Sequence, residues 1–157
     1  MDNQADIRAF RRGLRRLERE IGLALAADSG CCGVTAVQCH TLLEAAERPG
    51  ASLGELAECL AVDLSTMSRT VDGLTAKGWC VRTADPDNRR RLALNLSAAG
   101  RDKVDAIDER CDGAYARVLA RIPEERRAAA VIAVADLAEA MRQARSPGVD
   151  GGEGLCR

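Results

Sequence analysis

The side chains with the most chemistry to offer gather at one point of the sequence: Cys31 and Cys32, followed by Cys39 and His40. Thiolates are soft ligands, and three of them beside an imidazole suit a thiophilic ion such as trivalent arsenic, copper(I), mercury or zinc. The same thiols can be oxidised, with Cys31 or Cys32 passing to a sulfenate or to a disulfide with Cys39 or a cysteine of a second chain. Thr35 and Gln38 read as a capping box, which puts Cys31 and Cys32 just ahead of a helix N-terminus and Cys39 about one turn inside it. A helix N-terminus stabilises thiolates, raising both reactivity and metal affinity.

A packing role competes at each position. With Thr35 as N-cap, Val34 and Cys39 occupy the two positions of a hydrophobic staple, and Cys39 shares a face with Leu42, Leu43 and Ala46. His40 suits a solvent-facing position as well as a ligand position. Cys111 lies on an apolar stripe and is either a further donor or a core residue, whereas Cys59 and Cys80 read as packing and Cys156 as incidental. Packing is least convincing for Cys31-Cys32, which sits in a polar, glycine-flanked stretch.

A second set of residues points to a polyanion. Ser65, Thr66, Ser68, Arg69 and Thr70 form the polar side of a short helix, and Asn88, Arg89, Arg90 and Arg91 follow a turn. The formal net charge is −1, but between Lys77 and Arg101 six basic residues, Arg82 among them, face two acidic ones. Local charge decides phosphate contact, because solvated charges more than about 8 Å away are screened at physiological salt.

The elements that position these residues follow from periodicity. Ile7, Phe10, Leu14, Leu17, Ile21 and Leu25 predict one long amphipathic helix over residues 5–27, weakened by Gly13 and Gly22 and so in need of packing support. The Thr35 helix runs to about Glu47, before Pro49-Gly50. Ser52 with Glu55 opens a short helix carrying Leu53, Leu56, Ala57 and Leu60. After Ala61-Val62-Asp63, the residues Leu64, Met67, Val71 and Leu74 define another helix, which ends at Gly78. Two short helices so closely joined make a helix-turn-helix, whose second helix lies in the major groove and reads base edges. Arg69 is its leading base or phosphate contact.

Residues 79–83 and 91–96 alternate like strands around the turn residues Asp85-Pro86-Asp87-Asn88, giving a wing whose arginines suit the negative minor groove. Ser97 caps a helix with Val104, Ile107, Cys111, Ala114 and Val118 at heptad-like spacing, and Pro123 starts a last helix from about Glu124 to Arg145. The fold class is mainly α with a small β wing.

In Leu56-Ala57-Glu58-Cys59-Leu60-Ala61-Val62, Ser65-Thr66-Met67-Ser68-Arg69 and Leu74-Thr75-Ala76-Lys77-Gly78 the chain resembles MarR-family regulators. Asp85-Pro86-Asp87-Asn88-Arg89-Arg90 and Leu96-Ser97-Ala98-Ala99-Gly100 extend the likeness through the wing. It covers residues 5–145 in element order and is most specific over 52–100. Ala61 stands where a turn glycine is common, and Asn88 where the family wing usually has aspartate. The resemblance implies a winged helix-turn-helix lobe over about residues 35–96 and a helical dimerisation region at 1–34 and 97–145, within one domain spanning 1–145. It further implies an obligate homodimer on a near-palindromic double-stranded DNA operator, with binding altered by a small molecule, oxidant or metal.

Other classes are disfavoured. No glycine-rich phosphate loop or nucleophile elbow is present, and one histidine gives little general-base chemistry, so an enzyme is not expected. No apolar run nears the roughly 20 residues of a membrane span, and Asp2 and Asp6 do not suit a signal peptide. The expected place is the cytoplasm, where seven cysteines are normally reduced. Residues 146–157 read as a disordered tail. No cofactor is required for the fold; the expected input is a thiolate-bound ion or cysteine oxidation, acting on a repressor. One alternative is a repressor answering an aromatic ligand; another is a dimeric protein-interaction module that does not bind DNA.

Overall fold

The computed structural model describes residues 3–27, 33–84 and 92–145. In chain order it runs α1 (Asn3–Ala27), α2 (Ala36–Glu47), α3 (Leu53–Cys59), α4 (Leu64–Ala76), β1 (Cys80–Ala84), β2 (Leu92–Leu96), α5 (Ala98–Leu119) and α6 (Glu124–Arg145). By its internal contacts the chain divides into two units, Met1–Asp108 and Glu109–Arg157, with the division inside α5.

In the first unit three helices begin on the side-chain caps legible in the sequence. Thr35 and Gln38 form a complete capping box on α2, as do Ser52 and Glu55 on α3. Ser97 Oγ accepts the Gly100 N–H at 2.9 Å and donates to the Gly78 carbonyl at 2.6 Å, tying the start of α5 to the end of α4. Each cap satisfies N–H groups that the first helical turn leaves without partners.

The apolar faces meet in one core: Leu42 and Ala45 of α2, Leu56 and Ala57 of α3, Met67, Val71 and Leu74 of α4, and Leu94 of β2 are buried, with Cys80, Val104 and Ile107 beside them. α4 packs against α2 and α3, and α2 also packs against β2. Thr41, buried among these groups, donates its hydroxyl to the Val37 carbonyl at 2.7 Å, so the polar atom is satisfied within its own helix.

β1 and β2 pair antiparallel, with Cys80 opposite Leu96 and Ala84 opposite Leu92. The segment before α3 adds to this sheet. Ser52 forms an isolated antiparallel bridge with Ala93, and Leu94 exchanges backbone hydrogen bonds with Gly50 and Ala51 at 3.0 and 2.9 Å. Pro49-Gly50 thus does more than stop α2: Gly50, at φ +83°, turns the chain onto the free edge of β2.

α3 and α4 close with the same 6→1 and 5→2 pair of hydrogen bonds. After α4 the Trp79 N–H reaches the Leu74 carbonyl and the Gly78 N–H the Thr75 carbonyl, with Gly78 at φ +73°. After α3 the Val62 N–H reaches Ala57 and the Ala61 N–H reaches Glu58, with Ala61 at φ +52°. This ending needs one left-handed residue, which glycine adopts without strain. Alanine takes the left-handed position in the turn of the helix-turn-helix at a cost of about 1–2 kcal/mol.

The second unit holds the rest of α5, a tight turn and α6. Arg127 Nε lies 3.1 Å from the Leu119 carbonyl and 3.0 Å from that of Ile122, covering carbonyls at the α5 terminus. Glu124 and Glu125 open α6 and Arg142 and Arg145 close it, matching the helix dipole at both ends. Tyr115, Val118, Val131, Ile132 and Val134 are exposed in this unit, as are Ile7, Phe10, Leu17 and Ile21 on α1. The expected tail from Ser146 lies outside the described residues.

Candidate nucleic-acid interface

α4 is amphipathic in a strict sense. Met67, Val71 and Leu74 are buried, whereas Ser65 and Arg69 are exposed and Thr66, Ser68 and Thr70 lie half-buried at the margin. Asp63 holds the helix start: its carboxylate accepts the Thr66 N–H at 2.8 Å and the Thr66 hydroxyl at 2.7 Å, and it also accepts the Ser65 hydroxyl. These hydrogen bonds to its charged form keep the Asp63 carboxyl far below the usual carboxylate range.

The cap also orients the polar residues. With both protons of Ser65 and Thr66 directed at Asp63, these hydroxyls present acceptor lone pairs outward. Thr66 Oγ1 in turn accepts from Arg69 Nη2 at 3.3 Å, and Thr70 spends its proton on the Thr66 carbonyl at 2.9 Å. Arg69 uses one of its donors in this contact and projects the rest from an exposed position.

Arg82, expected as a DNA contact, is engaged by a carboxylate of α4. Its Nη2 meets Asp72 Oδ1 at 2.7 Å, linking β1 to the last turns of α4, while its Nε is buried without a hydrogen-bond acceptor. Nothing in the sequence spacing announced Asp72 as its partner, since the two residues lie ten positions apart on different elements. Asn88, Arg89, Arg90 and Arg91 lie outside the described residues. Within the wing, Asn95 Nδ2 donates to Thr83 Oγ1 at 3.1 Å across the two strands.

Residues 34–92, from the start of α2 through the helix-turn-helix and into β2, match the model of the MarR family. The chain carries a MarR-family domain. The multiple antibiotic resistance protein MarR of Escherichia coli K12 is 37% identical over 57 residues, a stretch spanning 36% of this chain and 37% of that relative. A solved structure of MarR is similar with a TM-score of 0.71 at 27% identity, covering 85% of this chain and 92% of that one. The structure of Streptococcus pneumoniae FabT in complex with DNA has the same fold, with a TM-score of 0.75 at 17% identity over 87% and 99% of the two chains. The MarR family consists of DNA-binding transcription factors, not enzymes.

The cysteines of this chain separate by environment. Cys80 is buried in β1 and its thiol is pushed up to about 11 by desolvation. Cys59 is raised as well, by burial first and then by its hydrogen bond to the Glu44 carboxylate. Both stay protonated at neutral pH, as packing residues do. Cys39 is half-buried on α2 and His40 is exposed. Cys111 is half-buried on α5. Among the described residues no group of three or more His, Cys, Asp or Glu side chains comes together as a metal site. Cys31 and Cys32 lie outside the described residues.

Proposed function

We propose that this chain is a sequence-specific DNA-binding transcription regulator, a repressor that acts as a homodimer on a near-palindromic operator. The observation that carries the reading is α4, buried on one face and presenting Ser65 and Arg69 on the other, with its start clamped by Asp63 and its end tied to the wing by Arg82 and Asp72. A helix so fixed can be laid in a major groove without first being ordered, and an arginine at its exposed face suits guanine or phosphate. DNA as the ligand of FabT, which shares the fold, supports the same reading.

Homodimerisation is supported by the exposed apolar side chains. Ile7, Phe10, Leu17 and Ile21 recur at a heptad spacing on α1, and all four are exposed in the single chain. Soluble proteins rarely leave such a stripe to water, and a second copy supplies a matching one.

For the input, the protonated state of Cys59 and Cys80 directs thiol chemistry to Cys31, Cys32 and Cys39, with Cys111 as a further donor. The effector in this reading is arsenite, copper(I), zinc, mercury or an oxidant.

The test is binding to a fragment of the gene's own promoter and to an unrelated duplex, measured across a salt series. Preference for the promoter fragment at physiological salt supports the reading, and equal affinity for both refutes it. Repeating the promoter titration with arsenite, copper(I), zinc, mercury and peroxide, for wild type and Cys32→Ser, tests the input. Binding that no additive changes refutes it.

A further inference from the structure

α1 has two faces, and the apolar one leaves the other unused. On a heptad with Ile7, Leu14 and Ile21 at a and Phe10 and Leu17 at d, the acidic residues Asp6, Glu18 and Glu20 fall at e and g, flanking the seam. Arg8, Arg12, Arg15, Arg16 and Arg19 take every b and f position from 8 to 19 and one c position, so they lie opposite the seam. Covering the seam with another helix leaves these arginines facing out.

Their charge is not neutralised locally. Between Arg8 and Arg19 six arginines stand against Glu18 alone, in a chain of net charge −1. Arg19 meets Glu20 at 3.5 Å in a pair that is about two-thirds exposed on both sides, and Arg8 donates to Gln4. Among the described residues no carboxylate lies within ion-pair reach of Arg11, Arg12, Arg15 or Arg16. Two shallow depressions on the surface are lined by arginine side chains only, one by Arg8, Arg11, Arg12 and Arg15 and the other by Arg12, Arg15, Arg16 and Arg19. Like charges so close repel one another, a cost that a dense anion removes.

We infer that the arginine face of α1 is a second, sequence-independent contact for the phosphate backbone of duplex DNA. The inference rests on the DNA-binding reading for its polyanion and deepens it. The row from Arg8 to Arg19 is roughly 16 Å long at the rise of an α-helix, and a duplex offers one negative charge per about 1.7 Å of axis. Arginine forks match phosphate oxygens, and contacts of this kind add affinity and salt dependence without reading bases.

The experiment uses the full chain and fluorescence anisotropy on the promoter fragment and on an unrelated 30-base-pair duplex, from about 50 to 200 mM NaCl, conditions in which phosphate contacts dominate the salt response. The variant Arg12→Gln/Arg15→Gln/Arg16→Gln/Arg19→Gln is expected to weaken binding to both duplexes by the same factor, about tenfold or more at the low-salt end. Its log–log salt slope is expected to fall in magnitude by about 2 or more, because each phosphate that the protein neutralises adds about 0.9 to that slope. The matching set of arginine-to-lysine changes keeps the slope. Single Arg12→Gln and Arg19→Gln variants each lower it by about 0.9, which holds the test open if the fourfold variant folds poorly.

An unchanged slope in the glutamine variants overturns the proposal. So does loss of binding to phosphatidylserine vesicles with the duplex slope retained, which would assign the face to a lipid surface. Failure of the wild type to prefer its promoter is a separate result: it counts against specific regulation and leaves the α1 contribution to the salt slope readable on the unrelated duplex.

Discussion

Arg82 on β1 and Asp72 on α4 meet at 2.7 Å, joining the first strand of the wing to the helix that carries the proposed base contacts. Arg82 is partly shielded and Asp72 is largely exposed, so the pair adds modestly to stability, on the order of 1 kcal/mol or less. Its greater effect is positional, because it sets the wing strand against α4. Asp72→Ala is expected to lower promoter affinity several-fold with little change in the thermal midpoint. Anisotropy and a melting curve on the same sample check this; unchanged affinity would leave the pair with no role in placing the wing.

Gly100 marks another close approach. A Cβ at this position would stand 1.9 Å from the Trp79 carbonyl oxygen, where backbone on both sides leaves no room to yield. Gly100→Ala is expected to destabilise the fold by about 2–3 kcal/mol, in the range of overpacked cores. Urea denaturation measures it, and a midpoint equal to that of wild type contradicts the packing described.

At Ala61 the opposite change is expected. Its φ of +52° strains an alanine but not a glycine. Ala61→Gly should stabilise the protein by about 0.5–1 kcal/mol, since relief of strain exceeds the added freedom of the unfolded chain. A lower urea midpoint for the glycine variant would contradict the left-handed turn.

The Asp63 cap sets a pH dependence. Its carboxyl is held below the ordinary aspartate value by hydrogen bonds from Ser65 and Thr66. The folded state therefore binds that proton less readily than the unfolded chain, whose aspartate titrates near about 3.9. The stabilisation is complete above that value and is lost as pH falls through the lower, folded pKa. The stability difference between wild type and Asp63→Ala is expected to be constant from about pH 7 to 5 and to shrink steadily below about pH 4. A difference that stays flat down to about pH 2 would contradict the cap.

Much of this architecture was legible in the sequence because its signals are local. Capping boxes at Thr35 and Ser52, the glycine at 78 and the apolar spacing of α4 each act within a few residues, and the helix limits follow from them to within a residue or two. Relationships between elements were not legible. The Arg82–Asp72 pair and the edge pairing of Gly50 and Ala51 with β2 join residues whose proximity depends on the packed lobe. Arg82 carries the difference most clearly: its type suggested a DNA contact, and its pairing with Asp72 is visible only in the fold.

The central claim, that α4 is the element that reads DNA, is tested most directly at Arg69, which is exposed and supports no part of the core. Promoter binding by Arg69→Ala should be compared with wild type by anisotropy, with sedimentation to follow assembly and the unrelated duplex as reference. The account predicts that preference for the promoter collapses to the level of the unrelated duplex while the oligomeric state is unchanged. Promoter affinity and preference equal to those of wild type would contradict it.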